Sequence, residues 1–366
     1  MVRVNVQRVG VLPGGGGSGK GVRKDHVARK MTHAAYYDVE AGTPRELGRK
    51  LGLLFGAEMH ESVEGARGER GWKARAAPAR QLLRATESHF PQLVEELQAY
   101  ADAAEVALLD LWMVMLEDEL DALAPEKCTT VVTNRGRLIS HNEDWDPEAA
   151  DAICVLKKRI GDLTILELHY TATPLGGSAL SINSHGWVQA INSLDHNDRQ
   201  PGVPRNVIAR WLSQTRNVEG DVARLKDIPR SSGYNHVFVD AHGALYDLEC
   251  TATRHVLTRP ATPYAHTNHY LDGDLEAFED GAEDRSTRKR YARACALMRE
   301  PMTMAQVLAL NGDTTQGASN SIMNRNTIAR VVVDFDARAA SIWLGREKQK
   351  GWVRYPLDFL PHVAAV

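Results

Sequence analysis

The chain has 366 residues, of which 43% are hydrophobic and 25% are charged, and its formal net charge is −3. This composition is typical of an ordinary globular protein with a substantial core, and the near-neutral charge argues against a nucleic-acid-binding protein. No apolar run approaches the ~20 residues that cross a membrane, and the N-terminus lacks the apolar stretch of a secretory signal peptide.

The first 31 residues are expected to form a flexible, Gly-rich tail. Residues 14–21 run Gly-Gly-Gly-Gly-Ser-Gly-Lys-Gly, which nearly matches a phosphate-binding P-loop. Gly21 stands where that motif needs a hydroxyl to hold magnesium, so nucleotide binding is not expected.

Residues 32–127 are expected to form a helical segment with little chemistry of its own. Thr43, Pro44 and Glu46 are suited to begin a helix, as an N-cap, a first helical residue and an acidic residue of the first turn. Hydrophobic residues then recur at helical spacing. Further helices are predicted over 77–89, from Pro91 onwards and over 108–123.

Short segments rich in β-branched and aromatic residues follow Cys128 and predict strands. These strands cover 153–156, 164–170, 187–192, 236–240, 245–251 and 264–268, with a closing hairpin of 328–334 and 340–344. Helices are predicted over 206–214, 219–225, 288–298 and from a Thr303 cap to 310. Helices first and many antiparallel strands afterwards predict layered α+β architecture, not alternating βαβ units.

The four cysteines are widely separated and have neither CxxC nor metal-ligand spacing, so free thiols in a reducing compartment, the cytoplasm, are expected. Cys154 and Cys250 lie in apolar strand patterns and are expected to be inert. Cys128 differs, because it opens a strand among polar residues, and a hairpin turn at residues 134–136 returns the chain to Asp144. A thiol, polar neighbours and a returning carboxylate predict a nucleophilic site, with Cys128 as the nucleophile of an amide-bond enzyme.

A second cluster of polar residues follows the strand predicted at 264–268. The side-chain amide of Asn268 could stabilise an oxyanion. His266 and His269 are candidates for a general base or metal ligands, but residues three apart on a strand face opposite sides, so zinc binding is not expected. We therefore expect no metal and no cofactor.

The chain resembles the isopenicillin-N acyltransferase family, also called acyl-coenzyme A:6-aminopenicillanic acid acyltransferases, within the N-terminal-nucleophile (Ntn) hydrolases. The resemblance runs from about residue 32 to the C-terminus, and its motifs occur in the family's order. They are Gly42-Thr43-Pro44 with Glu46-Leu47-Gly48, Cys128-Thr129-Thr130, Asn142 with Asp144, residues 186–194, Gly202-Val203-Pro204, residues 240–249, His266-Thr267-Asn268-His269 and Leu344-Gly345-Arg346. It implies a four-layer αββα sandwich of two antiparallel sheets between helical layers, with 32–127 and the catalytic part 128–366 in one domain.

The family resemblance also implies a mechanism. The enzyme is made as an inactive precursor and cuts its own backbone before the nucleophile, here at Lys127–Cys128. The new α-amine of Cys128 titrates near pH 8 and can take the thiol proton. Asn268 would stabilise the oxyanion, Asp144 would orient the α-amine, and the Thr130 hydroxyl would support the site.

Several further residues are candidates for the substrate pocket. Ser321 and Arg325 resemble a late Ser and Arg near the family's pocket, and Trp145, His266 and His269 join them. Two departures from the family are visible: Lys127 replaces the Gly before the cysteine of its best-known member, and the acidic run 143–146 favours an amine-bearing or polar substrate.

Three alternatives stay open. A papain-like thiol protease would pair Cys128 with His269, about 140 residues later. A non-catalytic binding protein would keep the fold without the chemistry. An acyl-coenzyme A-dependent N-acyltransferase would use the same acyl-enzyme, but hydrolysis of a small N-acyl or peptide amide is favoured. The expected partner is a small amide or thioester, with no nucleic acid or membrane, and the oligomeric state is not predicted.

Overall fold

The structure is a computed structural model that describes residues 34–116, 119–120, 127–280 and 285–361. The Gly-rich tail with its P-loop-like run lies outside these ranges. Residues 117–118 and 121–123 of the predicted fourth helix, 108–123, also lie outside them. Within them, no helix combines the length and the apolar character needed to cross a membrane.

The helices agree closely with the predicted segments in the part of the chain that is described. They are α1 (Pro44–Arg67), α2 (Trp72–His89), α3 (Pro91–Ala103), α4 (Leu108–Met115), α5 (Arg205–Leu212), α6 (Val218–Arg224), α7 (Arg285–Leu297) and α8 (Met304–Asn311). The predicted caps are confirmed at two helix starts: Thr43 accepts the backbone N–H of Glu46, and Thr303 forms a capping box with Gln306.

Helix α1 packs closely against α3 because small residues line the contact. A Cβ added at Gly48 would lie 1.9 Å from the carbonyl oxygen of Glu96, and one at Gly52 would lie 2.4 Å from that of Tyr100. The interleaved Leu51 and Phe55 are fully buried. Glycines thus let the two backbones approach while the larger residues fill the core.

The strands form two sheets. They are β1 (Tyr36–Ala41), β2 (Lys127–Thr133), β3 (Leu138–Asp144), β4 (Ile153–Ile160), β5 (Leu163–Tyr170), β6 (Leu180–Asn183), β7 (Trp187–Ser193), β8 (Tyr234–Asp240), β9 (Leu245–Cys250), β10 (His255–Thr258), β11 (Tyr264–His266), β12 (Thr327–Asp334), β13 (Ala339–Leu344) and β14 (Val353–Pro356). The first sheet has the order β1-β4-β5-β6-β7-β8-β9-β10, and the second has β11-β2-β3-β12-β13-β14.

Three clusters of buried side chains show how these elements are layered. One cluster joins helices α1–α6 to the first sheet, a second fills the space between the two sheets, and a third joins the outer face of the second sheet to α7 and α8. The expected αββα sandwich is therefore confirmed. The two sheets are antiparallel as expected, with one exception, the parallel pairing of β1 with β4.

Sequence periodicity missed some of the strands. Strands β1, β6, β10 and β14 were not predicted, and they have only four to six residues each. Segments this short give too few alternations to reveal a strand on their own. The strand predicted at 264–268 ends at His266, so Asn268 lies in the loop just beyond β11.

Candidate active site

The β2–β3 hairpin sets the geometry of the site. Its turn places Asn134, Arg135 and Gly136 at positive φ, which Asn and Gly adopt readily. The register pairs Cys128 with Glu143 and Lys127 with Asp144. Because side chains alternate across a strand, Cys128 and Glu143 point into the space between the sheets, whereas Asp144 points to the opposite face.

Cys128 is held by two neighbouring segments. Its Sγ lies 3.6 Å from Oε2 of Glu143, and its backbone N–H donates to Oδ1 of Asn268 at 2.8 Å. The pairing of β11 with β2 sets His266 opposite Thr130, and the chain continues from there to Asn268. The Cys128 side chain is buried, with 1% of the residue exposed.

Arg290, a fully buried residue of α7, donates hydrogen bonds to three groups at and beside Cys128. Its guanidinium donates to the carbonyl oxygen of Cys128, to Oγ1 of Thr129 at 2.7 Å and to Oδ1 of Asn268 at 2.7 Å. The Asn268 amide also donates through Nδ2 to the carbonyl oxygen of Ser193 at 2.9 Å. Two donors on one side and an acceptor on the other fix the orientation of this amide.

A chain of hydrogen bonds connects Cys128 to both sheets. The single hydroxyl hydrogen of Thr130 is donated to Oδ1 of Asn192 at 2.9 Å, and Nδ1 of His141 lies 3.0 Å from the same hydroxyl oxygen. His141 Nε2 lies 2.9 Å from Oε2 of Glu143, whose Oε1 accepts the Tyr170 hydroxyl at 2.7 Å. Nδ1 of His141 must therefore carry a hydrogen and donate it to Thr130. Nε2 of a neutral His141 is then an acceptor, so the one hydrogen between Nε2 and Oε2 comes from Glu143.

Burial sets the protonation of this pair. Removal from water raises the pKa of Glu143 to about 7 and lowers the pKa of His141 to about 4. Near neutral pH the imidazole is therefore uncharged, and the raised pKa of Glu143 favours a carboxyl group that keeps the hydrogen between Oε2 and Nε2.

Asp144 lies on the other side of the second sheet. Its carboxylate accepts hydrogen bonds from Thr327 and Asn324. Burial raises the pKa of Asp144 to about 6, although the charge of Arg290 and these two hydrogen bonds oppose the shift. The nitrogen of Cys128 contacts Asn268 in this uncleaved chain, so orientation of a free α-amine by Asp144 stays a prediction.

The two histidines of the 264–270 segment are buried and bonded to protein groups. His266 Nε2 lies 2.8 Å from Oε1 of Glu249, and Nδ1 lies 2.7 Å from the carbonyl oxygen of Thr267. Burial alone would lower the pKa of His266, but Asp247 and Glu249 raise it. His269 Nδ1 bonds to the hydroxyls of Thr267 and Thr287, and burial lowers its pKa to about 4.

Of the remaining candidate pocket residues, Ser321 and Arg325 lie along the segment that leads into β12, and Trp145 directly follows β3. Ser321 donates to the carbonyl oxygen of Gly317 at 2.8 Å, and the Arg325 backbone N–H donates to that of Ala318 at 2.9 Å. Trp145 packs at the edge of the core between the sheets, and its backbone N–H donates to Asn326. These contacts are structural, and a role of the three residues in substrate binding stays a prediction.

Two groups of residues have the donor types of a metal site. Cys128, His141 and Glu143 form one, and Asp247, Glu249 and His266 form the other, with ligand atoms within 4.8 Å of one another in each group. Hydrogen bonds within the protein join several of these atoms, and the absence of a metal stays a prediction.

Sequence reasoning missed five residues that surround the thiol, namely His141, Glu143, Tyr170, Asn192 and Arg290. For Glu143 a signal was available. A hairpin turn at 134–137 that pairs Thr133 with Leu138 also pairs Cys128 with Glu143, so counting along the register would have found it. The same register pairs His141 with Thr130, whereas Tyr170, Asn192 and Arg290 reach the site from distant segments and have no local pattern.

Comparisons with known proteins give one family and several relatives. Residues 131–349 match a family model described as acyl-coenzyme A:6-aminopenicillanic acid acyl-transferase. The Beta-alanyl-dopamine/carcinine hydrolase of Drosophila melanogaster is 26% identical over 304 residues, which cover 72% of this chain and 79% of that protein.

Two solved structures are among the similar ones. Penicillin V acylase from Agrobacterium tumefaciens is 15% identical, with a TM-score of 0.38, and the match covers 60% of this chain and 83% of that one. A mutant of the conjugated bile acid hydrolase from Clostridium perfringens is 12% identical, with a TM-score of 0.39, and the match covers 66% of this chain and 99% of that one.

Proposed function

Because the chain belongs to the acyl-coenzyme A:6-aminopenicillanic acid acyl-transferase family, we propose that it is a self-processing amide hydrolase in which Cys128 carries the acyl group. The observation that supports this most strongly is the contact between the Cys128 nitrogen and Oδ1 of Asn268, 2.8 Å apart. Arg290 is buried and donates hydrogen bonds to both the Asn268 amide oxygen and the Cys128 carbonyl oxygen. The Cys128 nitrogen therefore lies in an ordered network of polar contacts.

Self-cleavage converts the precursor into the enzyme. The Cys128 sulfur attacks the carbonyl carbon of Lys127, the bond from that carbon to the Cys128 nitrogen breaks, and the nitrogen takes up the thiol proton. Water then hydrolyses the thioester and leaves a Lys127 carboxylate and a free α-amine on Cys128.

The freed α-amine then serves as the base. It is partly neutral at physiological pH, so it can take the thiol proton as sulfur attacks the substrate carbonyl, and it can protonate the departing amine. Asn268 Oδ1 is suited to position this amine. The oxyanion role of Asn268 uses Nδ2, which has two N–H donors and gives one of them to the carbonyl oxygen of Ser193. Thr130 supports the site through His141, and Asp144 remains a candidate to orient the amine.

The proposed substrate is a small N-acyl amide. The relative from Drosophila melanogaster is by its name a hydrolase of beta-alanyl-dopamine and carcinine, which is consistent with a small amide here. Acyl transfer is the second candidate, and the description of the family favours it. The two reactions share the acyl-enzyme and differ in whether water or an amine attacks it.

Turnover of small chromogenic amides by purified variants tests the proposal. Cys128→Ser should reduce turnover more than about 100-fold, since removal of a nucleophile disables the whole catalytic unit. Cys295→Ser is the matched control, because Cys295 lies on α7 and packs against that helix's apolar cluster. Equal turnover by the Cys128→Ser variant and the wild type would overturn the proposal.

A further inference from the structure

Glu143 is a buried carboxyl group beside the nucleophile that the proposed mechanism does not use. It is fully buried, and its Oε2 lies 3.6 Å from the Cys128 sulfur. Among the residues that the structure describes, its only partner in an ion pair is His141, and no Lys or Arg lies within 4.0 Å of its oxygens. A buried carboxylate without a cation is costly, so this position is unusual for a residue with only a packing role.

The hydrogen-bond partners of Glu143 allow one proton on its carboxyl group and place no positive charge beside it. Thr130 gives its hydrogen to Asn192, so His141 donates through Nδ1 and presents Nε2 to Glu143. Tyr170 donates to the other carboxyl oxygen. With no cation present, the carboxyl satisfies this arrangement by keeping its proton and donating to Nε2, and the raised pKa of Glu143 is consistent with that state.

We propose that Glu143 selects substrates whose short acyl group carries an ammonium, such as a 3-aminopropanoyl amide. This inference rests on the proposed function, since it assumes that Cys128 carries the acyl group. When the ammonium enters, Glu143 releases its proton to solvent and pairs with the ammonium as a carboxylate. The exchange leaves the buried pair neutral overall, which a lone carboxylate would not be.

The length of the acyl group follows from the distance between Sγ and Oε2. With covalent bonds of about 1.5 Å, an amine on the α or β carbon lies no more than about 4 Å from the acyl carbonyl carbon. In the acyl-enzyme this carbonyl carbon is bonded to the Cys128 sulfur, and Oε2 of Glu143 lies 3.6 Å from that sulfur. An amine on the α or β carbon can therefore reach Oε2. A longer ω-amino chain would carry its charge past Glu143.

Two amides of 4-nitroaniline that differ in one group provide the test. The 3-aminopropanoyl amide carries an ammonium where the butanoyl amide carries a methyl group of similar size. The wild type should favour the former in kcat/KM by about 10- to 100-fold, the range of a hydrogen bond between charged groups. Glu143→Gln should abolish or reverse this ratio, and Glu148→Gln, the same change at an exposed site five residues on, should preserve it.

The outcomes separate the inference from the proposed function. Hydrolysis of both amides with equal ratios in the wild type and Glu143→Gln would overturn the role of Glu143 and leave the cysteine mechanism standing. Hydrolysis of neither amide by processed wild type would overturn both. If Glu143→Gln fails to fold or to cleave itself, the ratio of kcat/KM for the two amides in the wild type is the remaining test. A ratio near one contradicts selection of the ammonium.

Discussion

The backbone nitrogen of Cys128 lies 2.8 Å from the side-chain oxygen of Asn268, a residue 140 positions later in the chain. Arg290 contacts both residues at once, through the Cys128 carbonyl oxygen and the Asn268 amide oxygen. An amine released at this nitrogen would therefore already have an oriented acceptor beside it, which is the preorganisation that an N-terminal base needs.

Removal of Arg290 should damage both stability and processing. Arg290→Met leaves the Cys128 carbonyl, the Thr129 hydroxyl and the Asn268 amide without their shared donor, and each buried unsatisfied group costs about 1–3 kcal/mol. We expect a lower free energy of unfolding in urea and a smaller cleaved fraction. Arg293→Met, one turn along the same helix, removes a partly exposed pair with Asp313 and should have a much smaller effect. Similar losses in the two variants would contradict the bridging role.

Substitution of His269 discriminates between the proposed mechanism and a Cys–His dyad. His269 Nδ1 bonds to Thr267 and Thr287, and the imidazole near the thiol belongs to His141. His269→Gln should therefore keep amide turnover within about tenfold of the wild type, the change expected from about 1.4 kcal/mol. Near-complete loss of turnover in a variant with an unchanged circular dichroism spectrum would favour the papain-like alternative.

The stability of the protein should depend on pH through Glu143. Burial raises its pKa to about 7 in the folded state, so the folded protein holds this proton more tightly than the unfolded chain, where Glu titrates near 4.3. The wild type should lose stability relative to Glu143→Gln as pH rises from about 4.5 through about 7, by a few kcal/mol.

Urea denaturation of both proteins at pH 5 and pH 8 measures this difference. The groups that face Glu143 are Cys128, His141 and Tyr170, with Asp144 nearby on the same strand. His141, whose pKa is lowered to about 4, stays neutral over this range in the folded wild type. A difference in unfolding free energy that does not change with pH would show that the Glu143 proton is not linked to folding.

The contact between α1 and α3 should tolerate no side chain at Gly52. A Cβ there would lie 2.4 Å from the Tyr100 carbonyl oxygen, so Gly52→Ala should destabilise the fold by about 1–3 kcal/mol or more through overpacking. Gly65→Ala is the matched control in the same helix, where nothing lies within 4 Å of the added carbon. It should raise the melting temperature, since Ala favours a helix over Gly by about 1 kcal/mol. Equal changes in stability in Gly52→Ala and Gly65→Ala would contradict the close packing of α1 against α3.

The sequence was most informative where local patterns decide the structure. Cap residues and helical spacing located α1 and α8, and a Thr- and Val-rich run followed by a turn located the β2–β3 hairpin around Cys128. The sandwich came from the family resemblance together with the order of helices and strands. The parallel pairing of β1 with β4 was missed, because β1 is short and its partner lies more than a hundred residues away.

The site was harder to predict than the fold. Asp144 was favoured as the partner of the thiol because the hairpin returns the chain to it and because it resembles the family's Asn-x-Asp motif. The register instead sets Glu143 beside Cys128. Arg290 and Tyr170 approach from α7 and from the first sheet, so only the packing of distant elements brings them to the cysteine. Amino-acid type and spacing contain no information about such contacts.

Intact mass analysis of the purified protein shows whether the chain cleaves itself before Cys128. The wild type should separate under denaturing conditions into two fragments that meet at Lys127 and Cys128, and Cys128→Ala should remain a single chain. An active wild-type protein that stays in one piece, or that is cut at the same bond when the cysteine is absent, would contradict this prediction.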